Sequence, residues 1–62
     1  MNYTFEDIPI SNVMVVLANG SEFTISHING IMFREHNVVL KKVNDSITII
    51  SNNYLMLDVN TD

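Results

Sequence analysis

The fold of this chain is decided by residues 13–28, which read Val13-Met14-Val15-Val16-Leu17-Ala18-Asn19-Gly20-Ser21-Glu22-Phe23-Thr24-Ile25-Ser26-His27-Ile28. Asn19-Gly20 separates two runs that are rich in strand-forming residues, Val13 to Ala18 and Ser21 to Ile28. Asn-Gly between such runs is a strong signal for a β-hairpin, because a two-residue turn that matches strand twist needs a positive φ at both central positions. The stretch therefore predicts two antiparallel strands joined by a two-residue turn.

The rest of the chain predicts three further strands and an arm. Residues 2–10, around Pro9, are expected to form an extended arm or edge strand, since proline belongs at sheet edges and bulges. A second pair, Asn29-Gly30, predicts a turn or a bulge. Apolar residues recur with a spacing of two rather than 3.6, which favours strands over helices, and the remaining strands are predicted at Asn37 to Val43, Ser46 to Ser51 and Tyr54 to Val59. We therefore predict an all-β fold of five short antiparallel strands, as a small SH3-like barrel or a strongly curved sheet.

Length and composition limit the classes of protein to consider. A chain of 62 residues has room for a single small domain, residues 1–62, with one core. It contains no cysteine, so no disulfide is possible and a reducing compartment is expected. The net charge of −4 with only three basic residues argues against binding to a phosphate backbone. With neither a secretory leader nor a membrane-spanning run in view, we expect a cytoplasmic protein without membrane contact.

Three segments, in order along the chain, resemble the motifs of a known protein family. Leu17-Ala18-Asn19-Gly20 ends a first strand, Asn37-Val38-Val39-Leu40 is similar to the Asn-Leu-Val-Leu of the first Sm motif, and Ile49 to Leu57 occupies the place of the second motif. The chain departs from the family at Phe33, where an acidic residue is expected, and at Ile50-Ser51, which replaces Arg-Gly. The resemblance to the Sm-like family of small barrels implies a five-stranded barrel that assembles into an RNA-binding ring, and it carries over only Asn37 as a base contact. Lys41 and Lys42 are the further RNA-binding candidates of this alternative.

Candidates for catalysis or metal binding are few. His27, Glu35 and His36 are the only plausible groups, and zinc needs three or four converging nitrogen or sulfur ligands. His27 continues the alternation of Phe23 and Ile25, so a buried or half-buried place at the edge of the core is expected for it. The neighbours Glu35 and His36 are predicted in a loop and would point apart in a strand, so the two are not expected to chelate a metal together. We therefore predict no enzyme activity, no cofactor and no metal.

Alternation also assigns side chains to two faces of the sheet. In the fifth strand Leu55, Leu57 and Val59 are expected to face the core, and in the fourth strand Ile47 and Ile49 share one face. The apolar residues left on the second face predict a partner or self interface, because methionine and aromatic residues form adaptable contacts: Met14, Val16, Met32, Phe33, Ile50, Tyr54 and Met56. The alternative is a two-sided core that encloses them, covered by Tyr3, Phe5 and Ile8 of the arm.

These patterns lead to two functional hypotheses. The first is a protein-binding module, a small acidic effector or inhibitor of the kind that phages encode, which occupies a surface of a host or defence protein and self-associates into a homo-oligomer. The second is the Sm-like ring that binds RNA.

Overall fold

A computed structural model of the chain describes residues 4–61 and contains a single sheet of five antiparallel strands, with no helix in that range. The strand order is β4-β3-β2-β1-β5, so the sheet is open and β4 and β5 are its edges. The all-β prediction is confirmed. The strands are β1 (Glu6–Leu17), β2 (Glu22–Phe33), β3 (Asn37–Lys42), β4 (Ile47–Ser51) and β5 (Tyr54–Thr61).

The first hairpin joins β1 to β2 at the predicted place but through a different turn. The backbone N–H of Gly20 donates to the carbonyl of Leu17 at 3.0 Å, and the N–H of Leu17 donates to the carbonyl of Ser21 at 2.8 Å. The loop therefore has three residues, and only the last of them, Gly20 at φ 89°, has a positive φ. A type I turn followed by one left-handed residue gives this pattern. The two-residue turn predicted from Asn19-Gly20 is thus wrong in type.

The β3–β4 hairpin repeats this loop. Asp45 donates its backbone N–H to the carbonyl of Lys42 at 2.9 Å, and Lys42 donates its own to Ser46 at 2.9 Å. Asp45 is left-handed, with φ 68°. The side-chain oxygen of Asn44 accepts the N–H of Ser46 at 3.1 Å, as the oxygen of Asn19 accepts that of Ser21 at 2.9 Å in the first loop. An asparagine side chain stabilises both turns by this local hydrogen bond.

Both long strands bend at bulges. Val13 pairs with Ile25 and Ser11 with Ile28, so β2 contains one residue more than β1 over this step. The extra residue places His27 in the left-handed region, at φ 61°. Asn29-Gly30 does not end β2; it forms a second bulge against β3, between Ile28 and Gly30. The bulge alternative for this pair is confirmed.

The described part of the predicted arm from Glu6 onward forms the start of β1. Glu6 and Asp7 pair with β2 alone, because the pairing of β1 with β5 begins at Ser11. The register shifts between Asp7 and Ser11, the stretch that contains Pro9, and Ser11 donates its hydroxyl to the Pro9 carbonyl at 2.6 Å. The arm is therefore an edge segment with a bulge at its proline. Tyr3 and the first residue of the arm lie outside the described residues.

One hydrophobic cluster fills the inner side of the curved sheet. Its buried members come from β1, β2, β3 and β4: Val13, Val15, Ile28, Ile31, Val38, Leu40 and Ile50. Half-buried side chains pack around them, including Ile8 of the arm segment and Leu57 of β5. Burial of each such aliphatic side chain contributes about 1.5–3 kcal/mol. The core thus joins all five strands, although the sheet does not close.

Candidate protein-binding surface

The inner and outer faces of the sheet follow from its pairing register, because residues paired across antiparallel strands lie on the same face. We call the side of the core cluster the inner face and the opposite side the outer face. Met14, Val16 and Met56 lie on the outer face, and so does Met32. These four of the seven predicted interface residues are outside the core, as the alternation of their strands indicates.

Ile50 was expected outside the core, and this prediction is wrong. Ile50 pairs with the buried Val38 and is itself 7% exposed. The strand is turned over relative to the prediction, so Ile47 and Ile49 point outward and are 41% and 57% exposed. Both faces of this strand contain isoleucine, at Ile47 and Ile49 on one face and at Ile50 on the other. Only the pairing with β3 determines which face is buried.

Tyr54 is likewise on the inner face and packs against the core. Between the pairs Val16 with Met56 and Leu17 with Tyr54, β5 advances by two residues and β1 by one. Leu55 is the extra residue at this irregularity and is 71% exposed, although alternation predicted it to face the core. A bulge reverses the side-chain alternation on one side of it, which explains both misassigned residues.

The remaining members of the predicted sets lie near the margins of the core. Phe33 pairs with Val38 at the end of β2, on the inner side, and is 63% exposed. Leu57 is half-buried against the core, as predicted. Val59 shares the face of Val13 but is still 42% exposed, because β5 has no described strand on its other side.

Three outer-face side chains form a contiguous apolar patch on β1 and β5. Val16 lies directly opposite Met56, and Met14 lies two residues along β1 from Val16. Glu22 on β2 pairs with Val16 from the side opposite to Met56, and Asp58 on β5 pairs with Met14. We call Met14, Val16 and Met56 the methionine patch. It is an apolar surface with a carboxylate at each of two diagonal corners.

Five of the nine large apolar side chains that are exposed in residues 4–61 lie on the two edge strands. β4 contains no charged residue and exposes Ile47 and Ile49. β5 contains one charged residue, Asp58, and exposes Leu55, Met56 and Val59. Edge strands that avoid pairing with other chains usually have lysine, proline or inward-pointing charges. In the described residues, β5 is thus a long edge strand with little protection against strand addition.

The residues of the RNA hypothesis lie on β3. Asn37 begins the strand and is half-buried, and its side-chain oxygen is buried without a hydrogen-bond partner. The ammonium group of Lys41 lies 5.9 Å from the centre of the Phe5 ring, within the range of a cation–π contact. Lys42 pairs with Ile28 and is half-buried. The three residues lie on one strand but do not form one exposed basic surface.

The histidines lie in places that the sequence did not indicate. His27 is exposed in its bulge, and Ile28 takes the core position that alternation assigned to His27. That prediction of burial is wrong, because the extra residue of β2 moves the core position by one. Glu35 and His36 are in the β2–β3 loop, where their side chains approach to 3.8 Å and are 87% and 84% exposed. Within residues 4–61, no three potential metal ligands come together.

Comparison with known proteins finds no match, whether to a family model, to a curated protein or to a solved structure. The part of the chain that the structure describes contains no helix that is long and apolar enough to cross a membrane.

Proposed function

We propose that this protein is a non-enzymatic module that binds other proteins through β5 and the adjoining methionine patch. The observation that carries this proposal is the exposure of Leu55, Met56 and Val59 at 71%, 44% and 42% on a single edge strand. Small monomeric proteins seldom leave an unpaired edge strand with large apolar side chains exposed on both of its faces. Binding of a partner would remove this surface from solvent.

The edge itself supplies the second part of the interaction. The free side of β5 presents a row of backbone N–H and C=O groups along eight residues. An extended segment of a partner adds to such an edge by main-chain hydrogen bonds, and alternate side chains provide specificity. On β5 these alternate side chains are Met56 and Asp58 on the outer face and Leu57 and Val59 on the inner face.

We further propose that the chain self-associates and acts in the cytoplasm as a small acidic effector or inhibitor of the phage type. Its action would be to occupy a surface of a host or defence protein. The small size of the chain and its net charge of −4 support this role, because a charged, compact chain remains soluble until its apolar face meets a partner.

Substitution of Met56 tests the proposal. Met56→Glu places a charge in the interface, and Asn53→Glu, at an exposed position in the β4–β5 loop, is the control with the same change of charge. Sedimentation velocity at about 100 μM, well above a micromolar dissociation constant, should show an oligomer for the wild type and for Asn53→Glu, and a monomer for Met56→Glu. A wild-type monomer of 7.0 kDa at this concentration would contradict self-association.

The RNA-binding ring is the second candidate, and the β2–β3 loop supports it. Arg34 and His36 lie in this loop, which runs from Phe33, whose ring is exposed, to Asn37. Aromatic rings beside basic side chains are a common surface for single-stranded RNA. Asn52 holds the loop in place, since its side-chain amide donates to the Glu35 carbonyl at 3.1 Å. Titration of labelled single-stranded RNA at increasing salt separates the candidates. Binding with a negative salt slope favours the ring.

A further inference from the structure

We infer that the methionine patch binds a basic amphipathic helix of a partner protein. This inference rests on the proposed protein-binding function and specifies the chemistry of the partner. Three observations lead to it: the distribution of charge over the sheet, the environment of the lysines, and the dimensions of the patch.

Charge is segregated between the two parts of the sheet. The part of the sheet around β5 consists of residues 11–26 and 54–61 and includes the methionine patch. Its charged residues are Glu22 and Asp58, and it contains no lysine, arginine or histidine. The three basic residues are Arg34, Lys41 and Lys42, on β3 and the loop before it. The patch therefore lies in a field of negative sign, which attracts a cationic partner and repels an anionic one.

The lysines of a second copy are poor partners for this patch. Both are half-buried on β3. The ammonium group of Lys41 faces the Phe5 ring at 5.9 Å, and a Cβ added at Gly30 would come within 3.1 Å of its Cε, so the side chain lies flat on the sheet. Moving it to a neighbouring molecule would give up these contacts. A separate basic segment is a better complement than these two lysines.

The dimensions of the patch match a helix. Glu22 and Asp58 are separated by two strand spacings and two residues, which corresponds to about 12 Å between their Cα atoms. Residues seven apart on a helix lie on one face and are about 10.5 Å apart along its axis. Lysine or arginine at such positions can reach both carboxylates while the apolar residues between them pack on Met14, Val16 and Met56. Methionine adapts to varied apolar partners, which suits this contact.

The probe for the test is a fluorescein-labelled peptide of about 14 residues, four helical turns, built from leucine and lysine at amphipathic spacing. A peptide with glutamate in place of lysine is its counterpart. Fluorescence anisotropy at about 0.1 M salt, where the Debye length is about 10 Å, should give saturable binding for the lysine peptide and none for the glutamate peptide. The double variant Glu22→Gln and Asp58→Asn should raise the dissociation constant about fivefold, the loss expected for two exposed ion pairs.

A matched double variant, Glu35→Gln with Asp45→Asn, removes the same charge at exposed positions away from the patch. It should leave the dissociation constant within about twofold of the wild-type value, because exposed charges beyond the Debye length are screened. Equal weakening by both double variants would overturn the inference, since the attraction would then be non-specific. Absence of binding to the lysine peptide would also overturn it.

Sedimentation of the Glu22→Gln and Asp58→Asn variant tests the competing occupant. Loss of wild-type self-association in this variant would identify a second copy as the occupant and overturn the helix inference, while supporting the proposed binding function. Sedimentation that is unchanged in this variant, together with its weaker binding of the lysine peptide, supports the inference. Failure of the peptide experiment alone therefore leaves the Met56→Glu result as an independent measure of the proposed function.

Discussion

Gly20 and Asp45 occupy the same position in two hairpin loops of identical hydrogen-bond pattern. Each is the third loop residue, each has a positive φ, 89° for Gly20 and 68° for Asp45, and each donates its backbone N–H to the residue that ends the preceding strand. An asparagine precedes both. The loops differ in the cost of the left-handed conformation, which is small for glycine and larger for a residue with a Cβ.

Asp45→Gly should therefore stabilise the protein. Relief of the left-handed conformation is expected to gain about 0.5–1 kcal/mol, after the greater entropy of glycine in the unfolded chain is subtracted. Urea unfolding followed by circular dichroism measures the change. A lower midpoint for Asp45→Gly than for the wild type would mean that the aspartate side chain stabilises this loop.

Gly20→Val should destabilise strongly and Gly20→Asn only slightly. A Cβ at Gly20 meets no atom within 4 Å, so the penalty comes from the backbone conformation alone. A β-branched residue at this φ costs about 2–3 kcal/mol, whereas asparagine tolerates the left-handed region at under about 1 kcal/mol. Thermal unfolding of the two variants under the same conditions compares them, and equal melting temperatures would contradict the described turn.

Gly30→Ala should destabilise for a different reason. The added Cβ would lie 3.1 Å from Cε of Lys41, 3.2 Å from its Cβ and 3.3 Å from Cβ of Phe5. Displacing these groups is expected to cost about 1–2 kcal/mol, as overpacking does. Lys41→Ala removes only the contact with Cε, so the penalty should be smaller in that background but not zero. Chemical denaturation of Gly30→Ala, Lys41→Ala and the double variant gives the coupling free energy between the two positions.

Adjacent residues of β4 provide a test of its orientation. Ile50→Ala creates a cavity beside Val38 and should cost about 2–4 kcal/mol, whereas Ile49→Ala, at an outward position that is 57% exposed, should cost under about 1 kcal/mol. Equilibrium unfolding in urea measures both values. A greater loss of stability for Ile49→Ala than for Ile50→Ala would mean that Ile49, and not Ile50, faces the core.

The corresponding pair on β5 is Leu57 and Met56. Leu57 is half-buried against the core, so Leu57→Ala should cost about 1–3 kcal/mol. Met56→Ala should leave the unfolding free energy of the monomer within about 0.5 kcal/mol of the wild-type value, since its side chain is 44% exposed. Measurement at low protein concentration separates monomer stability from association. Strong destabilisation by Met56→Ala would place Met56 in the core.

Much of the candidate surface could be predicted from alternation within single strands. Met14 and Val16 follow Val13 and Val15 on a strand without an irregularity at these positions, so period two gave their face correctly. Prediction failed where a bulge intervened, as at Leu55. The same is true of His27, whose predicted core position is filled by Ile28 because β2 contains one more residue than β1 over that step.

The sequence by itself determined the number of strands, their order along the chain and the places where the chain turns, because β-branched residues, Asn-Gly and Asn-Asp act through local backbone preferences. Tertiary structure alone decided which face of β4 is buried and where the alternation of β5 reverses. Isoleucine occurs on both faces of β4, at Ile47 and Ile49 on one face and at Ile50 on the other, so hydrophobicity alone cannot decide which face is buried. Pairing with β3 makes the choice, because its register places Ile50 and Thr48 on the face of Val38 and Leu40, and Ile49 on the opposite face beside Val39.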